Sequence, residues 1–165
     1  MRVYLGSDHA GFELKQRLID HLSQQGHDPV DCGPHAYDAE DDYPPYIIET
    51  AIRVAGEPGT AGIVLGGSGN GEAIAANKVR GVRCALAFSD DTARLAREHN
   101  DANVVSLGAR MYDEDTALRF VDIFLTTAFS GEERHVRRLA QLGAYEASGE
   151  PPALPERPEG SGGRG

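Results

Sequence analysis

Residues 66–78 read GGSGNGEAIAANK, with four glycines in the first six positions and a single glutamate, Glu72, where the loop runs into a helix-forming segment. Just before it stands AGIVL, residues 61–65, an apolar run of strand length. Strand, glycine turn and helix in that order form the repeating unit of an α/β fold. A turn this bare of side chains exposes backbone N–H groups, which suits an anion.

The same alternation extends outward on both sides. Upstream, RVYLG (residues 2–6) reads as a buried strand. The helix after it carries Leu14, Leu18, Ile19 and Leu22 on one face and stops at Gly26, a natural C-terminal cap. A weaker strand over residues 28–32 leads into an acidic, proline-bearing loop, 33–45, and then a helix with Ile47, Ile48, Ala51, Ile52 and Ala55 on one side. Downstream, residues 83–88 read as the fourth strand, and Ser89 or Asp90 caps a helix reaching about His99. Residues 103–107 form the fifth strand, and Asp113 caps a helix bearing Leu118, Val121, Phe124 and Leu125. Ser130 with Glu133 matches a capping box that opens a last helix over 131–147.

Five short apolar strands alternating with helices predict a parallel sheet covered on both faces. Residues 1–147 are expected to form one domain. Residues 148–165, rich in Pro, Gly and Glu and without apolar periodicity, are expected to be a disordered tail.

Composition bounds the function. A length of 165 residues suits one domain with a substantial core. The formal charge of −10 argues against a nucleic-acid surface, because phosphate backbones require a basic stripe. No apolar run approaches membrane-spanning length and no signal peptide is visible, so a soluble cytoplasmic protein is expected. Cys32 and Cys84 are too few for a disulfide framework or a thiolate zinc site and are read as reduced cysteines in or near strands.

Ligands of parallel α/β sheets bind at the carboxyl ends of the strands, which sorts the polar residues. SDHAG (7–11) follows the first strand, the glycine loop the third, and Arg110 the fifth, while REHNDAN (97–103) precedes the fifth. The loop is neither G-x-G-x-x-G nor G-x-x-x-x-G-K-[ST]; its glycines exceed the needs of a tight turn and favour an anion cradle. A helix start is expected to lower the pKa of Glu72, and the residue reads equally as a first-turn acid or as a base working beside N–H donors. Asp8 taken alone caps a helix, and His99 taken alone is a helix-end histidine. Arg134 and Arg138 are like charges one turn apart, which repel by a few tenths of a kcal/mol unless an anion lies between them, so they read as a phosphate clamp. Arg137 has Glu133 four residues back and reads as structural.

Four stretches in order, GSDHAG (6–11), GGSGNGEAIAANK (66–78), EHNDANVVSLGAR (98–110) and RHVRRL (134–139), resemble the type B ribose-5-phosphate isomerases, a likeness covering about residues 1–145. The resemblance implies a Rossmann-like three-layer fold with a five-stranded parallel sheet, a homodimer or higher oligomer, and metal-free, cofactor-free interconversion of ribose 5-phosphate and ribulose 5-phosphate. It moves the phosphate away from the glycine loop. Gly67, Ser68, Gly69, Asn70 and Gly71 would hold the C1 and C2 oxygens. Phosphate would go to Arg134 and Arg138, with His9 and Arg110 assisting. Many family members place a cysteine base just before the loop, where this chain has Gly66. The chain resembles instead the branch whose base is the glutamate at the loop exit, Glu72. His99 would protonate the ring oxygen in ring opening, with Asp8 as its basic counterpart, and Asn100 would bind a sugar hydroxyl. Two alternatives remain at this stage: an isomerase of a six-carbon sugar phosphate, such as allose or galactose 6-phosphate, and a non-catalytic nucleotide-binding module.

Overall fold

A computed structural model describes residues 1–154. Its compact units are residues 1–131 and the segment from Glu132 onward. The first holds strands β1 (Arg2–Ser7), β2 (Asp28–Asp31), β3 (Ala61–Gly66), β4 (Cys84–Leu86) and β5 (Val104–Gly108), with helices α1 (Phe12–Gln24), α2 (Tyr43–Gly56), α3 (Asn70–Ala76), α4 (Asp90–Asn100) and α5 (Glu114–Thr126). A short 3₁₀ turn, His9–Gly11, precedes α1. The second unit is α6 (Glu133–Ser148).

All strand pairings are parallel, in the order β2-β1-β3-β5-β4. That order explains which helix lies on which face. Connections β1→β2 and β4→β5 run one way across the sheet, and β2→β3 and β3→β4 run the other. Right-handed crossovers therefore put α1 and α4 on one face and α2 and α3 on the opposite one. Side chains alternate to match. Leu5, Ile63, Leu65, Val105 and Leu107 pack with Leu18, Ala93, Ala96, Val121 and Phe124 of α1, α4 and α5. Tyr4, Val64 and Val104 pack with Ile47, Ala51, Val54, Ala75 and Ala76 of α2 and α3. The result is the expected three-layer α/β fold.

Several local expectations are corrected. Ile52 lies on the solvent side of α2, where Ile47, Thr50, Ala51 and Val54 make the buried stripe. Strands β2 and β4 are shorter than the runs read from sequence, β4 most of all, because pairing with β5 lasts only over Cys84–Leu86. The Ser130 capping box does not form: the N-cap of α6 is Glu132, and the Ser130 N–H instead donates to the Glu98 carbonyl at 3.0 Å. Capping at Ser89 and Asp113 is as read, through the Thr92 and Thr116 N–H groups. Of the segment expected to be a tail, Ser148 closes α6, residues 149–154 carry no regular structure, and 155–165 lie outside the described residues.

Candidate active site

The sheet builds outward from β1 in both directions, so the loops leaving β1 and β3 diverge to opposite faces and leave a crevice at the strands' carboxyl ends. Asp8 and His9 enter it from β1, residues 67–71 from β3, and Arg110 from β5.

The glycine loop is held rigidly. Gly69 adopts φ 82°, a left-handed conformation natural to glycine, and a Cβ on it would meet the Leu107 carbonyl carbon at 3.0 Å. Ser106 donates from its buried hydroxyl to the Gly69 carbonyl at 2.6 Å. The Ala109 and Arg110 N–H groups donate to the carbonyls of Gly66 and Gly67 at 2.8 and 3.1 Å. The N–H groups of Gly67 and Ser68 donate to no protein acceptor among the described residues. Gly71, in the first turn of α3, likewise has an N–H without an intrahelical acceptor, and donors of this kind suit an oxyanion.

Glu72 sits in that same turn. Helical side chains lean toward the N-terminus, and this one lies back over the end of β3. A Cβ built on Gly66 would fall 2.0 Å from Glu72 Oε1 and 2.1 Å from its Cδ. Gly66 is thus glycine because the carboxylate occupies the space beside it. Glu72 is only 4% exposed. Burial pushes its pKa up, Asp8 adds to that, and the N–H groups of Glu72 itself and of Gly69 pull it back only in part. The expectation that the helix start lowers this pKa is therefore corrected: desolvation outweighs the terminus of a helix of only seven residues. A carboxylate with a raised pKa, poised beside oxyanion donors, is suited to carrying a proton between neighbouring carbons.

Asp8 is buried and caps the 3₁₀ turn, accepting from the Ala10 and Gly11 N–H groups at 2.9 and 3.2 Å. His9 is half-buried and bonded to Asp41, whose oxygen accepts from the backbone N–H at 2.9 Å and meets Nδ1 at 2.8 Å. Arg110 reaches toward Gly67, within 3.6 Å of where a Cβ on that glycine would stand, and its charge acts on His9. Arg110, the His9 imidazole and a glycine loop thus line one crevice with two buried carboxyl groups.

His99 and Asn100 are not part of this cluster. They end α4, which returns to the amino ends of the strands. Arg83, just before β4, donates to the carbonyls of Asn100 and Asp101, and the Asn103 carbonyl accepts from Gly62 at the start of β3. A five-residue strand separates the two edges of the sheet by about 16 Å. Arg134 and Arg138 belong to the second unit. There Arg134 pairs with Glu132 at 2.8 Å, Arg137 makes no ion pair with Glu133 among the described residues, and Arg138 is exposed.

Two neighbours of the site were not singled out from sequence. Asp41 is one acid among several in an acidic loop, and nothing in its spacing marks it. Tyr43 lies against Gly71, its ring and hydroxyl 2.9 and 3.1 Å from where a Cβ would be. The signal for both is the acidic loop ending in a helix start; what it faces is invisible in one dimension.

Comparison with known proteins bears on the family and the fold. The family model described as Ribose/Galactose Isomerase matches residues 3–142. Ribose-5-phosphate isomerase B of Mycobacterium tuberculosis is 58% identical over 158 residues, covering 96% of this chain and 98% of that protein. The probable ribose-5-phosphate isomerase B of Mycoplasma pneumoniae is 42% identical, covering 87% and 94%. Among solved structures, ribose-5-phosphate isomerase B from Mycoplasma genitalium with bound ribulose-5-phosphate superposes with a TM-score of 0.86 at 39% identity, covering 89% of this chain and 97% of that one.

Proposed function

The chain belongs to the ribose/galactose isomerase family, and on that premise we propose that it interconverts ribose 5-phosphate and ribulose 5-phosphate. The observation that carries the reading is the Glu72 carboxylate, buried over the end of β3 against Gly66, with its pKa raised and the Gly69 N–H bonded to it. The resemblance of the sequence motifs assigns the remaining roles.

In the proposed reaction His99 protonates the ring oxygen while Asp8 takes the proton of the anomeric hydroxyl, opening the furanose. Glu72 then removes the C2 proton and returns it to C1. The negative charge that develops on the oxygen is met by the loop N–H groups of residues 67–71, and Asn100 binds a hydroxyl. Each such donor is worth about 10²–10³ in rate in enzymes where one has been removed. The proton of the C2 hydroxyl passes to O1 within the enediolate, and the other protons move through His99, Asp8 and Glu72, so the proposed reaction calls on neither metal nor cofactor. His9, Arg110, Arg134 and Arg138 hold the phosphate, whose binding energy orients the sugar.

His99 and Asn100 cannot reach Glu72 of their own chain across the sheet. The reading therefore includes a homodimer in which the second copy supplies them, the isologous pairing making two equal sites. It also takes residues 1–147 as the isomerase domain of a cytoplasmic enzyme.

The test is direct. Ribulose formation from ribose 5-phosphate is assayed beside the isomerisation of allose 6-phosphate, with EDTA present and absent. Efficient turnover of the pentose supports the reading. Preference for the hexose, or thermal protection by nucleotides without turnover of either sugar, replaces it.

A further inference from the structure

The acidic loop between β2 and α2 does more than connect them. Its start is pinned by Lys15, a lysine with no solvent exposure at all, which donates to Asp31 Oδ1 and to the Pro34 carbonyl at 2.6 Å each. Its far end is braced by Asp38, whose side chain accepts from the Glu40 N–H at 3.0 Å and whose carbonyl accepts from the Asp41 N–H at 3.3 Å. The brace delivers Asp41 to the mouth of the crevice with its side chain only 5% exposed.

Asp41 spends one oxygen on His9 twice over. Oδ1 takes both the backbone N–H and the ring Nδ1, at 2.9 and 2.8 Å, while Oδ2 is buried and accepts nothing from the described residues. A buried carboxylate with an idle oxygen is costly unless it serves a partner. The imidazole is held from a second side by Tyr37, edge-on at 6.5 Å between ring centres. Because a carboxylate can only accept, Nδ1 must bear a proton in either charge state of the ring. Protonation and deprotonation are thereby confined to Nε2.

Resting on the reading of His9 as a phosphate ligand, we infer that Asp41 is a positioning residue: it fixes the His9 ring so that Nε2 faces the anion and holds that ring cationic when phosphate binds. The groups acting on His9 are Asp8 on its own turn, Asp41 and Tyr37 from the acidic loop, and Arg110 from beyond β5. The hydrogen bond to Asp41 leads them in raising the His9 pKa; Asp8 acts the same way, and burial and Arg110 oppose it. The sign follows. A raised pKa keeps the Nε2 proton to higher pH, so phosphate retains a charged donor where an ordinary imidazole would be neutral.

The experiment uses the full chain with Asp41→Asn, an isosteric change that can still accept from His9 but carries no charge. KM for ribose 5-phosphate and inhibition by inorganic phosphate are measured from about pH 6 to about pH 9. At about pH 6 the variant should match wild type within twofold. At about pH 8 its KM and phosphate inhibition constant should rise about tenfold, with kcat nearly unchanged, as befits loss of a neighbouring opposite charge. Profiles that superimpose on wild type, or a fall in kcat at constant KM, overturn the inference. Nitrogen-15 NMR of the wild-type histidines gives an independent reading that needs no variant. Nδ1 of His9 should stay protonated throughout while Nε2 titrates, and the opposite tautomer overturns the inference. Phosphate binding with this pH dependence but no pentose turnover would sink the proposed reaction and leave the role of Asp41 standing.

Discussion

Replacing Gly66 with alanine tests the placement of the proposed base without touching it. Gly66 lies at the end of β3 and has no positive φ, so alanine fits the backbone there. The new methyl group, however, would lie 2.0 Å from Glu72 Oε1, and real Cβ contacts essentially never fall below 3.0 Å. The carboxylate must therefore retreat by about 1 Å, and it can, because it is the end of a flexible side chain rather than backbone. A misplacement of about 1 Å at the reacting centre costs on the order of 10² in rate, or about 2.7 kcal/mol of barrier. Stability should hardly change, since alanine is favoured over glycine within a strand by roughly 0.5–1 kcal/mol, which offsets the rearrangement. The expected result is kcat about a hundredfold lower, KM for ribose 5-phosphate within about threefold, and a melting temperature within a few degrees of wild type. Adding Gly66→Ala to Glu72→Gln should then cost little more than Glu72→Gln alone, because both act on one group. Wild-type kcat in the alanine variant, or full additivity of the two changes, would refute the reasoning.

Glu72→Gln itself should lose about 10²–10⁴ in kcat yet melt higher than wild type near neutral pH. The folded pKa of Glu72 is raised, so its ionised form is the one the fold disfavours. That cost is absent below the ordinary carboxylate range and grows as pH rises, so the gain in melting temperature should vanish toward about pH 4. A glutamine variant less stable than wild type at neutral pH contradicts this. Iodoacetamide at about pH 7.5 should leave activity intact, because burial raises the pKa of Cys32 and pushes that of Cys84 up to about 12, leaving almost no thiolate. Rapid inactivation would place a reactive thiol in the site. Mixing Glu72→Gln with His99→Asn under conditions that exchange subunits should restore about a quarter of wild-type activity, since about half the dimers are then mixed and each has one intact site. No recovery, with exchange verified, would show that both residues act within one chain.

Much of this protein was legible from the chain alone. Apolar runs of strand length alternating with amphipathic helices specify a parallel α/β sheet, because both its faces must be covered. Ser89 and Asp113 announced their helices, since capping is a local exchange between a side chain and an N–H three residues on. The motifs around Asp8, the glycine loop, His99–Arg110 and Arg134–Arg138 pointed to the family through residue order. The boundaries of β4, the exposed side of α2 and the failed cap at Ser130 were not readable. Each depends on a distant partner: β5 for the first, the sheet for the second, the Glu98 carbonyl for the third.

The site divides in the same way. Sequence shows a glycine at position 66 and a glutamate six residues later. Only the folded chain shows why the two go together: the helix leans the Glu72 carboxylate back into the volume that any side chain at 66 would need. Sequence likewise suggests a helix-terminus effect on Glu72 but cannot weigh it against burial, which depends on α2, α3 and the sheet closing around the carboxyl group. That Asp41, thirty-two residues from His9, grips its ring follows from the loop pinned by Lys15. And that His99 ends a strand's length from Glu72 is set by α4 returning to the amino edge of the sheet, a consequence of parallel connection that no local pattern records.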